Sequence, residues 1–153
     1  METSATLYKT DFYAWAQEQA NLMRAEDLEK LDLPNLIEEI EAMALRDRRE
    51  LISRLSVLLM HLLKWQYQPN PHGRSQPRSW FNTIITQRHE IDLVLADSPS
   101  LRRELPTLIE NAYPRARSRA HLETRLPLNT FPVSCPYTAK QIFDDNFFPG
   151  AED

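Results

Sequence analysis

Glycine is almost missing from this chain, with two residues in 153. That leaves few places for the positive-φ turns of tight hairpins and argues against a β-rich fold built on them. Cysteine occurs once, at Cys135, which rules out an intramolecular disulfide framework and fits a reducing compartment. Long apolar runs are also lacking. The oiliest stretch, 51–63, contains Ser53, Arg54, Ser56 and His61, and a membrane-spanning helix needs roughly 20 apolar residues. No leader pattern opens the chain either, since METSATLYKTDFYAWAQEQA is broken by Lys9, Asp11 and Glu18. The expectation is a cytoplasmic protein with no membrane attachment.

What the chain does hold is leucine among strong helix formers, a composition that favours helix. The length suits one helical domain over 1–153, with its core about 7–149. Net charge is −4, distributed unevenly. Residues 1–45 carry ten acids against three bases, residues 46–125 fourteen bases against eight acids, and residues 126–153 one base against four acids. A basic middle meets either phosphates or the protein's own acidic ends, and the second reading is the plainer one.

Helical periodicity predicts an all-α bundle of about four main helices. The first runs from about Asp11 to Met23 behind Thr10 as cap, with Tyr8, Phe12, Trp15, Gln19 and Leu22 along one face. Leu28 and Leu31 are expected to pin the following turn to the core. A long central helix should start behind Asn35, with Glu38 completing a capping box, and continue to about Tyr67 without Gly or Pro. Its stripe has two apolar halves, Leu36 to Ala44 and Leu51 to Leu63. Between them lies RDRRE, a solvated stretch or a hinge. The QPNPHGRSQP segment, 68–77, reads as a loop. A third helix follows over about 79–97, its inner face set by Trp80, Ile84, Ile91, Val94 and Leu95. Ser98-Pro99 should open a fourth, kinked or broken at Pro106 and Pro114. The remainder is an irregular proline-rich segment carrying one short helix behind Thr138, with Gln141 three residues on.

Residues 58–91 concentrate three of the four histidines, two of the three tryptophans and three arginines. If the second and third helices pair antiparallel, positions summing to about 145 face each other, and Trp65 and Trp80 close the mouth of the hairpin. The candidate binding set is Trp65, Arg78, Trp80 and Arg88, an aromatic rim with guanidiniums suited to phosphate or carboxylate. The alternative is plain packing. His61 and His89 are the only candidates for base or ligand, and the register sets them a turn or more apart. The plainer and favoured reading of His61 is a half-buried histidine bonded to a backbone or side-chain partner. No metal site is expected: HEIDL lacks the second histidine of a zinc motif, and the paired Glu-x-x-His motifs of a di-iron bundle are missing. Glu38 and His61 would lie roughly 35 Å apart on a straight helix. No cofactor motif, phosphate loop or Ser/His/Asp pattern occurs. Arg102, Arg103, Arg115, Arg117 and Arg119 suggest nucleic acid at first, but alternating positions spread around a helix, and the pI near 5.6 is acidic. Cys135 reads as a small buried side chain.

The ordered segments DFYAWAQEQANLMRA, LDLPNLIEEIEAM, LLMHLLKWQYQP, RSWFNTIITQR, DSPSLR and CPYTAKQIFDDNFFP resemble the bacterial family known as domain of unknown function twenty-nine, over about residues 7 to 149. The resemblance implies an all-helical fold and marks Trp15, Glu38, Glu39, His61, Trp65, Trp80 and the CPYT at 135–138 as family features. It implies no activity.

The sequence does not decide whether this is an enzyme. Its leading reading is a non-enzymatic module for protein interaction or self-association through the long helix. One alternative is a metal-dependent hydrolase acting on phosphate esters or nucleic acid at the 61–89 hairpin. The other is a nucleic-acid-binding module using the basic 46–125 region.

Overall fold

A computed structural model describes residues 3–68 and 76–150 of the chain. Most of the expected loop, residues 69–75 including His72 and Arg74, lies outside the described residues. Among those described there are six α-helices, three 3-10 turns and no strand, so the fold is all-α. The helices are α1 (Ser4–Thr10), α2 (Phe12–Arg24), α3 (Leu33–Tyr67), α4 (Arg78–Asp97), α5 (Leu105–Thr124) and α6 (Ala139–Phe143). None is long and apolar enough to cross a membrane. Internal packing divides the chain into two compact units, residues 1–46 and 47–153.

In the first unit, α1 was not foreseen. Thr3 caps it by accepting from the Thr6 amide, and Thr10 is its last residue rather than the cap of the next helix. Asp11 takes that role: its carboxylate accepts from the Ala14 amide at 3.0 Å and opens α2. Tyr8 therefore reaches Trp15 from another helix, ring edge to ring face at 4.8 Å. Trp15 is 2 % exposed, and its indole N–H donates to Asp32 at 3.0 Å. Gln19, also buried, accepts from the Asp32 amide at 2.8 Å. Asp32 thus ties α2 to the start of α3, and Asn35 donates its side-chain amide to the same carboxylate instead of capping the helix. Pro34 sits in the first turn, where a missing N–H leaves no bond unmade. Leu28 is exposed, contrary to expectation, and Leu31 half-buried. The Tyr8 hydroxyl donates to Glu39, chiefly for which its pKa is pushed up to about 12.

The second unit is a helical bundle around one leucine-rich core. Leu51, Leu55, Leu58, Leu59, Leu62 and Leu63 of α3 pack with Ile84, Ile91 and Leu95 of α4 and Leu108, Ala112 and Ala116 of α5. Arg54 meets Gln87 at 3.3 Å and Glu90 at 3.6 Å, and Lys64 lies over Trp80, so α3 and α4 keep the antiparallel register expected for the hairpin. Ser98-Pro99 opens a six-residue 3-10 turn, Pro99–Glu104, rather than an α-helix. Pro106 then falls in the first turn of α5, where it is tolerated, and α5 runs unbroken through Pro114. The helix is not broken there, although Pro114 has no N–H for the Glu110 carbonyl.

The C-terminal segment, with Pro127, Pro132, Pro136 and Pro149, builds no hydrogen-bond ladder of its own. Long side chains supply its partners. Arg117 donates to the Phe131 and Leu128 carbonyls, Tyr113 to that of Pro132, and Tyr137 reaches back to the Leu62 carbonyl and Gln66. The short helix α6 forms with the capping box read from Thr138 and Gln141.

Candidate functional site at the α3–α4 hairpin

The last turn of α3 and the first of α4 enclose a cleft of about 480 Å³ lined by Trp65, Gln76, Arg78 and Phe81. Trp65 and Phe81 both rest on Phe148, with ring centroids 4.9 and 5.2 Å away, which fixes an aromatic wall. Gln76 is held by donating to the Trp65 carbonyl at 2.8 Å. No side chain among the described residues caps α4, whose Trp80 amide donates to the Pro77 carbonyl at 3.0 Å, and exposed Arg78 stands at the helix start. An aromatic wall with one guanidinium beside it suits a flat or anionic group.

Trp80 belongs to a different cluster. Lys64 Nζ lies 4.7 Å from its ring centre and 3.0 Å from Glu123, which also pairs with Arg119 at 3.9 Å. His61 stands in the same charged neighbourhood. Its Nδ1 is 2.8 Å from the Val57 carbonyl. A carbonyl only accepts, so Nδ1 carries the proton and Nε2 keeps its lone pair. Burial holds the His61 pKa below the usual imidazole value, and Lys64 and Arg119 act in the same direction, against the Val57 bond and Glu123. His61 is thus a neutral imidazole bonded within its own helix.

His89 is exposed and has no hydrogen-bond partner among the described residues. Nothing described joins it to His61, and no three His, Cys, Asp or Glu side chains among the described residues come together to hold a metal.

Arg88 leaves the predicted rim entirely. It is 1 % exposed, with Nε donating to the Ile142 carbonyl at 2.8 Å and Nη2 to those of Phe147 at 2.8 Å and Gln141 at 3.3 Å. Its guanidinium lies 5.4 Å from the Phe148 ring centre, and Nη1 has no hydrogen-bond partner among the described residues. Burial lowers its pKa, with Asp145 and Asp144 opposing. The reason is local: carbonyls at the end of α6 and beyond need donors, and a forked cation satisfies three at once. Arg88 positions Phe148 and hence the cleft wall.

Of the four binding candidates, the structure brings Trp65 and Arg78 to one cleft and sets Trp80 and Arg88 elsewhere; Gln76, Phe81, Phe148 and Glu123 were not among the candidates. The paired Phe147-Phe148 near the C-terminus was the one available signal, as an apolar pair in an otherwise polar stretch. A second cleft, about 460 Å³, lies between α5 and the C-terminal segment and is lined by Pro106, Ile109, Tyr113, Pro114, Cys135 and Tyr137, among others. Burial raises the Cys135 pKa, its bond to the Tyr137 carbonyl notwithstanding, so the thiol stays protonated at neutral pH.

Fold and cleft together define a small all-α protein with an aromatic pocket at the loop end of a helical hairpin and, among the described residues, no assembled catalytic set. The sequence matches the family model described as Domain of unknown function DUF29 over residues 7–148, and the chain belongs to that family. No curated protein and no solved structure matches it.

Proposed function

We propose that this protein is a non-enzymatic interaction module whose contact surface is the first half of α3. One observation carries the reading. Leu33, Ile37, Ile40 and Met43 recur at helical spacing and are 54, 53, 62 and 64 % exposed. Every residue from Ile40 to Arg46 is exposed. A helix in water owes most of its stability to packing of an apolar face, and an uncovered face of this kind marks an interaction site. The basic residues give less support to nucleic acid. Arg48, Arg54, Lys64 and Arg119 have carboxylate partners within the chain, and Arg88 and Arg117 serve carbonyls.

The test is purification of the tagged protein from its native host after nuclease treatment, beside an Ile40→Ser/Met43→Ser variant. A protein recovered near one-to-one with the wild type and lost with the variant is the expected result. Equal recovery with both, or no stoichiometric protein with either, sinks the reading.

A further inference from the structure

We infer that the occupant of the α3 stripe is a cationic amphipathic helix of another protein, an inference that rests on the interaction-module reading and names its partner class. Charge decides it. Between Leu33 and Leu45 the helix carries Glu38, Glu39 and Glu41 and no base. Glu38 and Glu41 are exposed and have no ion pair among the described residues. The unit to which they belong holds ten acids against three bases up to Leu45, and one of those bases, Lys30, is paired with Asp27 at 3.0 Å.

A second copy of the chain fits this surface badly. Stacking the stripe on itself antiparallel, so that Leu33 meets Met43, brings Glu38 against Glu38. Stacking it in parallel sets each glutamate beside its twin. Like charges across a helix pair oppose association, whereas opposite charges flanking an apolar seam select the partner. The complement is a helix with apolar residues at i, i+3, i+4 and i+7 flanked by Lys or Arg. About three turns of contact on one helix make a small interface, so the affinity belongs in the weak, transient class.

The probe is an 18-residue synthetic amphipathic helix of leucine and lysine, labelled for fluorescence anisotropy, with a leucine and glutamate counterpart as its opposite. Both are titrated with the full chain at low salt. Expected is binding of the Leu/Lys peptide at micromolar concentration, weakened at least tenfold in ~0.5 M salt by screening, and no binding of the Leu/Glu peptide. Glu38→Lys/Glu39→Lys/Glu41→Lys should exchange the preference, and Ile40→Ser/Met43→Ser should abolish binding of the Leu/Lys peptide. These positions are exposed or half-buried, and a circular-dichroism spectrum of each variant checks that the helices persist.

Three results overturn the inference: no Leu/Lys binding by the wild type, undiminished binding by the Ile40→Ser/Met43→Ser variant, or a dimer in sedimentation that this variant dissolves. Should a native partner be lost with that variant while the Leu/Lys peptide fails to bind, the partner class is wrong and the module stands.

Discussion

The two halves of α3 are written in the same amphipathic pattern and end in opposite surroundings. From Leu33 to Arg46 no side chain is buried, while from Asp47 to Tyr67 eight are. The later half finds α4, α5 and the C-terminal segment packed around it. The earlier half belongs to a unit in which, among the described residues, only Trp15 and Gln19 are buried. Apolar periodicity therefore reports which face of a helix seeks cover; it is silent on whether the chain itself provides the cover.

The sharpest test of that contrast is one kind of truncation made in both halves. Leu59→Ala removes a fully buried side chain and is expected to cost about 3 kcal/mol through lost transfer energy and the cavity left behind. Ile40→Ala should change stability by less than about 0.5 kcal/mol, since little burial is lost and alanine is the better helix former. Urea unfolding followed by circular dichroism gives both numbers. Comparable losses at the two positions would mean that the first half is covered in the isolated protein.

Arg88 asks how the second half obtains its cover. Arg88→Met keeps much of the side-chain volume and removes donors from three carbonyls. Part of that loss returns if the segment carrying the carbonyls lifts into water, so the expected cost is about 2 kcal/mol. The site-specific readout is faster amide exchange in 139–148, together with a change in the fluorescence of Trp65, which Phe148 touches. A loss of stability without faster exchange there would show that Arg88 supports the core and not the segment.

The second half was also the more legible one. The helices of the hairpin, its register and the capping box at Thr138 follow from spacing and local chemistry alone. Pro106 misled because a proline in the first turn of a helix costs little, whereas α5 continues through the interior Pro114 despite its missing N–H; the start of α5 was hidden by the Ser98-Pro99 signal, which opened a 3-10 turn instead. Thr10 and Asp11 are neighbours that both cap well, and only the presence of α1 decides between them. The cleft was half visible. Trp65 and Arg78 flank the loop in sequence, but Phe148 arrives from more than sixty residues away, and Arg88 looks like any surface arginine until the carbonyls that need it are in place.

His61 supplies the smallest and most specific comparison, because it stands in the covered half without being fully covered. Its pKa is lowered in the native protein from the ordinary 6.5, with burial the main cause. Between the native value and 6.5 the unfolded chain then binds more protons than the native one, so stability falls as pH drops through that window and is unaffected above it. His61→Gln keeps an N–H donor for the Val57 carbonyl and removes the titration. Unfolding midpoints in urea should therefore coincide in pH dependence above about pH 7 and diverge below 6.5, the wild type losing stability faster than the variant. Curves that stay parallel down to pH 5 would mean that the ring is as open to water as the first half of its own helix.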